Sequence, residues 1–198
     1  NANGRGGLEA PNLMRRGMDR ILARLDQINL RPKASRNVTH HYDLTRQFYE
    51  LFLDEDRQYT MAYFKDPANS LERAQVDKKA LIASKLRLQP GMRVLDIGCG
   101  WGGMAIFLAS RAGVQVHGIT LSEEQLALAR ERAAAAGVAH AITFELVDYR
   151  DLAARGEKYD RIVSVGMFEH VGRPQFETFF RACGNLLTED GVMLLHTI

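Results

Sequence analysis

The sequence contains little cysteine and no long apolar run. Its two cysteines, Cys99 and Cys183, cannot build a disulfide framework and are typical of a reducing compartment. No stretch approaches the roughly 18 apolar residues of a transmembrane helix, and the first residues lack the apolar core of a signal peptide. The 198 residues are 46% hydrophobic and 25% charged, which excludes a disordered chain or a collagen-like fibre. We therefore expect a cytoplasmic globular protein of about one domain.

Excess charge of one sign is confined to the start of the chain. The net charge is +2, which is too small to indicate nucleic acid as a partner. Residues 1–36 nevertheless carry eight Lys or Arg against three Asp or Glu, a net charge of +5. Apolar residues recur at helical spacing from Leu13 to Leu30, and Pro32 ends the pattern. This basic amphipathic helix is expected either to lie on an anionic membrane surface or to pack on the protein body.

Strands and helices alternate in the second half of the chain. The expected elements are a helix at 71–86, a strand at 93–97, a helix at 103–112, a strand at 114–119, a helix at 122–136, strands at 142–147 and 161–165, a helix at 174–187 and a strand at 192–197. This order predicts an α/β fold, a doubly wound, mostly parallel Rossmann-like sheet with helices on both faces. Because the chain stops after the fifth strand, we interpret it as a fragment of a larger sheet.

A cluster of glycines lies where the first strand meets its helix, in the sequence DIGCGWGG from position 96. Glycines at such a turn let the backbone approach a bound nucleotide. The spacing formally fits the GxGxxG dinucleotide pattern, but no acidic residue follows at the end of the second strand, where an NAD ribose needs one. The alternative pattern DxGxGxG resembles motif I of S-adenosylmethionine (SAM) methyltransferases. The sequence therefore favours SAM over NAD.

Several segments together with this glycine loop resemble the cyclopropane fatty acid synthase family, which includes the mycolic acid cyclopropane synthases. They are HHYD at 40–43, YTMAYF at 59–64, TLSEEQ at 120–125, VGMFEHVG at 165–172 and LLHTI at 194–198. Their order and spacing agree with the family from His40 to the last residue. After the basic arm and amphipathic helix at 1–36, which the charge and apolar spacing indicate, the resemblance implies a helical cap over the cofactor at 37–90 and an incomplete class I SAM methyltransferase core at 91–198.

The resemblance also assigns roles to individual residues. It implies that Tyr59 and Thr60 close over SAM, and that Thr120, Leu121 and Gln125 hold its ribose side. The methionine part of SAM is assigned to Asp96, Gly98 and Gly100, and the border of the adenine to Tyr149 and Arg150. Trp101 and Gly102 of the same loop are also expected to bind the cofactor. A bicarbonate ion is implied as second cofactor, bound by Met61, Glu169 and His196. No metal is expected, because the adjacent His40 and His41 diverge and no further ligands complete a tetrahedral set.

The implied chemistry explains why a bound base is needed. Methyl transfer from the sulfonium to a cis double bond leaves a carbocation, and ring closure requires a proton to leave the new methyl group. Bicarbonate positioned by Glu169 and His196 is the implied base. The family usually has Cys where this chain has Met61, which leaves the product open between a cyclopropane and a methyl or methylene branch.

The expected function is therefore the conversion of an unsaturated acyl chain in membrane phospholipid into a cyclopropane fatty acid. A small-molecule methyltransferase and a non-enzymatic module that binds SAM or lipid are the alternatives. The expected partners are the lipid substrate and the anionic inner membrane surface, which the basic helix would contact peripherally. The sequence does not define the oligomeric state, and a homodimer is retained as a candidate.

Overall fold

The computed structural model describes residues 46–198, and over this range the chain is an α/β protein. Its helices and strands, in chain order, are α1 (Arg46–Glu50), α2 (Leu71–Leu86), β1 (Arg93–Ile97), α3 (Gly103–Ala112), β2 (Gln115–Thr120), α4 (Glu123–Ala135), β3 (Ile142–Leu146), α5 (Tyr149–Ala154), β4 (Tyr159–Val165), α6 (Phe176–Leu186) and β5 (Leu187–His196). Short 3₁₀ turns occupy Ala139–Ala141, Phe168–His170 and Arg173–Gln175.

The five strands form one parallel sheet in the order β3-β2-β1-β4-β5. The chain runs outward from β1 to β3 and then returns to the other side of β1 to form β4. The order therefore reverses between β1 and β4, and ligands of open α/β sheets bind at the carboxyl ends of the strands beside such a point. The predicted parallel, doubly wound sheet is confirmed.

Side chains alternate between the two faces of the sheet, and helices cover both faces. On β1, Val94 packs in one core with α2, α3 and α4, whereas Leu95 packs in a second core with α5 and α6. The same alternation separates Ile162 from Val163 on β4. Ile82 and Leu86 of α2 belong to the first core, so this helix from the expected cap region packs on the sheet.

Three details differ from the sequence-based expectation. Helix α5 was not anticipated, because six residues are too few to show a helical period; it begins where the Asp148 carboxylate accepts a hydrogen bond from the Arg150 N–H. Pro174 lies in a 3₁₀ turn, and α6 starts only at Phe176. Strand β5 starts at Leu187, earlier than expected, because its pairing with β4 continues across an irregularity near Tyr159.

The expected basic helix at 13–30 and the HHYD segment at 40–43 lie outside the described residues. Among residues 46–198, no helix is both long and apolar enough to cross a membrane.

Candidate active site

Two adjoining cavities form a cleft over the carboxyl ends of β1, β2 and β4. The larger cavity has an empty volume of about 780 Å³ and the smaller one about 530 Å³. They meet at four residues that border both: Gly98, Gly100, Gln125 and Gly166. The cleft thus lies at the switch in strand order, where ligands of such sheets bind.

The structure brings the residues predicted to bind the cofactor into this cleft, with one exception. Those bordering the larger cavity are Gly98, Gly100, Thr120, Leu121, Gln125, Tyr149 and Arg150, and those bordering the smaller cavity are Tyr59, Thr60, Asp96, Gly98, Gly100, Trp101 and Gln125. The exception is Gly102, where a Cβ would lie 2.9 Å from Phe144 Cζ and 3.0 Å from Ala129 Cβ. Gly102 therefore allows close packing of α3 against its neighbours and does not border the cleft.

The glycine loop leaves room for a ligand at its centre. Gly98 has a φ of +80°, and its N–H donates to the Ile119 carbonyl at 3.0 Å, which holds the loop against β2. Gly100 has a φ of +53°, and a Cβ there would meet no atom within 4 Å. Because Gly100 borders both cavities, a side chain at this position would enter open space at the junction of the cleft.

Asp96 contributes a buried carboxyl group to the cleft. It is 2% exposed, and its Oδ2 atom is buried without a hydrogen-bond partner among the described residues. Burial raises the pKa of this carboxyl from 3.8 to about 7. A buried carboxylate oxygen without a partner is costly, so the site suits a ligand that donates hydrogen bonds or carries positive charge.

The end of β2 presents a fixed polar pair. The Thr120 hydroxyl donates to Gln125 Oε1 at 2.8 Å and accepts from the Ser122 N–H at 3.2 Å. Ser122 also caps α4 by accepting from the Gln125 N–H. Since the Gln125 carbonyl oxygen is engaged by Thr120, its amide NH₂ remains as the group that can donate to a ligand.

Asp148 and Arg150 neutralise each other at the wall of the larger cavity. The Arg150 guanidinium donates to the Asp148 carboxylate at 2.8 Å through Nε and at 2.6 Å through Nη2. The same guanidinium lies 5.3 Å from the Tyr149 ring centroid. Arg150 therefore serves to fix the wall more than to present a charge to a ligand.

The segment that carries Tyr59 and Thr60 is attached to the glycine loop by a polar cluster. Asp56 contacts Lys79 of α2 and Arg132 of α4 through its carboxylate, and Arg132 Nη1 donates to the Trp101 carbonyl at 2.6 Å. Gln75 Nε2 donates to the Thr60 carbonyl at 3.0 Å. Apolar packing adds to this, since the Tyr49 and Trp101 ring centroids lie 6.1 Å apart.

The three residues predicted to hold bicarbonate are not all together. The Glu169 carboxylate accepts from the Ile198 N–H at 3.0 Å and borders a separate cavity of about 680 Å³, lined also by Phe168 and Phe176. His196 ends β5, and its Nδ1 is buried without a partner among residues 46–198. Glu169 is therefore fixed beside the strand end that carries His196. Met61 is 57% exposed and borders none of these three cavities.

Sequence reasoning missed several residues that border the cleft. Asp148 follows β3, and Gly166 and Met167 follow β4, so the rule that ligands bind at carboxyl ends of parallel strands could have found them. His170 lies one residue beyond the predicted Glu169 and borders the larger cavity instead. Arg57 borders the smaller cavity, and no pattern in the sequence indicated it.

The parallel sheet, its glycine loop and the two-part cleft define the class I SAM methyltransferase fold. Residues 30–198 match the family described as mycolic acid cyclopropane synthetase, and the chain belongs to this family. It is 47% identical over 176 residues to the cyclopropane-fatty-acyl-phospholipid synthase of Escherichia coli, which covers 89% of this chain and 44% of that protein. It is 44% identical over 161 residues to a probable fatty acid methyltransferase of Pseudomonas putida, which covers 81% of this chain and 41% of that protein.

A solved structure supports the same assignment. The mycolic acid cyclopropane synthase CmaA1, crystallised in complex with SAH and CTAB, superposes with a TM-score of 0.78 at 40% identity. The match covers 82% of this chain and 56% of that one. The chain thus spans about half the length of the relatives it matches.

Proposed function

We propose that the protein transfers a methyl group from SAM to the cis double bond of an unsaturated acyl chain in phospholipid and closes it to a cyclopropane. The observation that carries the proposal is the cleft at the glycine loop, in a chain that belongs to the mycolic acid cyclopropane synthetase family. The relative from Escherichia coli is itself named a cyclopropane-fatty-acyl-phospholipid synthase. SAM supplies the electrophilic methyl group.

The residues of the cleft fit SAM from end to end. The larger cavity, with Gln125 and Tyr149 on its walls, would receive the adenosine part, and the smaller cavity the methionine part. Asp96 would accept from the ammonium group of the methionine part, which gives its buried oxygen a partner. The Gln125 amide would donate to a ribose hydroxyl. Gly98 and Gly100, which border both cavities, would leave room for the link between the two parts of SAM.

The proton that leaves during ring closure requires a base, and we assign its binding to Glu169 and His196. Burial raises the pKa of Glu169, but hydrogen bonds from the backbone N–H groups of Glu169 and Ile198 outweigh this effect and hold the pKa below its usual value. Glu169 is therefore ionised and can accept a hydrogen bond from bicarbonate. The buried Nδ1 of His196 is the second group that fits such an ion.

Replacing Glu169 with Gln should lower turnover by about 100-fold, because it removes an acceptor needed for proton transfer. Affinity for SAH should be unchanged, since Glu169 borders neither cavity of the cofactor cleft. The measurement combines turnover on vesicles of monounsaturated phospholipid with calorimetric SAH binding, both in the full-length protein. The matched control is Glu177→Gln, at a carboxylate 84% exposed on α6, which should change neither quantity. Full turnover in the Glu169 variant would remove it from the mechanism.

The same assay identifies the product. Gas chromatography with mass spectrometry of the released fatty acids should show a saturated ring product one methylene heavier than the substrate. A methyl- or methylene-branched chain is the second candidate, favoured by Met61 in place of the family's Cys and by the relative named probable fatty acid methyltransferase. Unmodified lipid with SAH still bound would instead support a small-molecule methyltransferase or a binding module without chemistry.

We also propose peripheral contact with the membrane through the basic residues 1–36, because the substrate chains lie in a bilayer. Replacing Arg15, Arg16, Arg20 and Arg24 with Gln should weaken co-sedimentation with anionic vesicles at low salt, and added salt should reduce wild-type binding similarly. Unchanged co-sedimentation would leave this segment without a membrane role. Light scattering of the protein without vesicles measures its molecular mass and tests the candidate homodimer.

A further inference from the structure

Lys78 is a buried cation for which the proposed chemistry has no direct use. It lies on α2, is 3% exposed, and its Nζ donates to the hydroxyl oxygen of Thr60. Burial lowers the pKa of this lysine to about 8, against the opposing effect of Asp54. Burying a lysine this deeply costs stability, which indicates that its position serves a function.

The contact with Lys78 fixes the direction of the Thr60 hydroxyl. A lysine ammonium has only donors, so Thr60 Oγ1 must accept from it. The proton of the Thr60 hydroxyl is then left to donate in another direction, and Thr60 borders the smaller cavity. The position of Thr60 is restrained on two sides. Its Cγ2 lies 2.5 Å from the place that a Cβ on Gly166 would take, and its carbonyl accepts a hydrogen bond from Gln75 Nε2. The hydroxyl is therefore oriented to donate a hydrogen bond to an acceptor on a ligand.

A second donor borders the same cavity. Arg57 pairs with Glu50 through Nη2 at 2.6 Å, but its Nε is buried without a partner among residues 46–198. Asp96, an acceptor, borders this cavity too. The smaller cavity therefore has two hydrogen-bond donors, the Thr60 hydroxyl and the Arg57 guanidinium, and one carboxylate acceptor, Asp96. This set is complementary to the carboxylate and ammonium groups of an α-amino acid.

We propose that Lys78 is a positioning residue that, by orienting the Thr60 hydroxyl in the cavity that Arg57 also borders, makes this smaller cavity specific for the carboxylate end of the ligand. The inference rests on the proposed function, since the methionine part of SAM is the amino acid in question. It adds a prediction about ligand selectivity. The cleft binds an adenosyl thioether that carries a carboxylate more tightly than one that lacks it.

The test compares two ligands that differ in the amino-acid part. SAH carries the carboxylate and ammonium groups, whereas 5′-methylthioadenosine lacks both. In the full-length protein, Lys78→Met should weaken SAH binding about tenfold, as expected for the loss of a charge-assisted hydrogen bond. Binding of 5′-methylthioadenosine should not change. Thr60→Val should give the same pattern, and the double variant should bind SAH no worse than either single variant, because both remove one interaction.

The matched control is Lys79→Met, the neighbouring lysine on the same helix. Lys79 is also buried, at 6% exposure, but it contacts Asp56 and not Thr60. This variant should lower the unfolding temperature but leave the ratio of the two ligand affinities as in the wild type, because Arg132 still links Asp56 to the Trp101 carbonyl. A Lys78 variant that weakens both ligands equally, or neither, would overturn the inference. A wild-type protein that binds neither ligand would overturn the proposed function itself, so the two failures are distinguishable.

The pH dependence provides a second readout. The charged groups that act on Lys78 are Asp54 and Asp56 from the loop after α1 and Lys79 from its own helix, with Arg132 of α4 paired to Asp56. Above about pH 8 the lysine becomes neutral and can accept from Thr60, which turns the hydroxyl away from the ligand. SAH affinity of the wild type should therefore fall as the pH rises through 8 more steeply than that of the Lys78→Met variant. Identical slopes would contradict the proposed orientation.

Discussion

Replacing Asp96 with Asn should weaken SAH binding by about 10- to 100-fold at pH 8 and, at the same time, stabilise the ligand-free protein. The carboxylate has no partner for Oδ2 among the described residues until a ligand is bound, so its charge costs stability in the empty cleft and contributes affinity in the occupied one. Calorimetric titration with SAH and thermal unfolding without it measure the two effects on one sample. A variant that lost both stability and affinity would show that Asp96 has an unrecognised structural partner.

The same carboxyl sets a pH dependence with a defined sign. Burial raises the pKa of Asp96 from 3.8, its ordinary value in an exposed chain, to about 7, so the folded ligand-free protein holds this proton more tightly than the unfolded chain. The stability of the ligand-free protein should therefore fall as the pH rises from about 4 through 7, by on the order of 4 kcal/mol. An ammonium group placed beside Asp96 favours the ionised carboxylate, so SAH affinity should rise between pH 6 and pH 8. Both slopes should disappear in Asp96→Asn.

Replacing Asp56 with Ala should cause the largest loss of stability, about 3–5 kcal/mol, because it leaves the buried Lys79 ammonium without its counter-ion. Arg132 also loses its link between this segment and the Trp101 carbonyl, so the Tyr59–Thr60 segment should detach from the glycine loop. In thermal unfolding the expected decrease in Tm is about 10 °C.

Two further variants test whether the stability lost in Asp56→Ala comes from the unpaired charge of Lys79 or from another effect of the substitution. The double variant Asp56→Leu with Lys79→Met removes both charges of this pair and should recover the part of the loss that comes from the unpaired Lys79, since an apolar pair can replace a buried ion pair, whereas Arg132 stays without its partner. Glu177→Gln is the matched control, because Glu177 pairs with Arg181 on one helix and both side chains are mostly exposed, at 84% and 70%. Its cost should stay below about 1 kcal/mol. A double variant as unstable as Asp56→Ala would assign the loss to local packing instead.

The fold was predictable where glycine and proline mark the ends of elements. The bounds of α2, β1 and α3 agree with the expectation from sequence, since the turn Gln89-Pro90-Gly91 separates α2 from β1 and the glycine loop separates β1 from α3. Helix α5 was missed because it is short and depends on one cap. The division at residues 36 and 90 stays a prediction, as do the roles of Glu169 and His196.

The site was predictable only where its residues lie in continuous motifs. Gly98 and Thr120 border the cleft as expected because they lie at the carboxyl ends of two neighbouring strands of one parallel sheet. The contact between Asp56 and Arg132 joins residues 76 positions apart and belongs to no periodic pattern, so no local signal could have found it. Lys78 was hidden for a similar reason, since a helical lysine is read as a solvated charge until its burial is known.

Three of the four glycines of the loop at 98–103 are each restrained by a different part of the molecule. A Cβ at Gly98 would meet Met167 after β4, one at Gly102 would meet α4 and β3, and one at Gly103 would meet Asp56 and Gln58, whereas Gly100 opens to the cleft. A backbone shift that relieved one of these contacts would be transmitted to the others. Laboratory evolution toward another cofactor analogue should therefore leave this hexapeptide untouched, and adaptive changes should accumulate in side chains around the cleft instead.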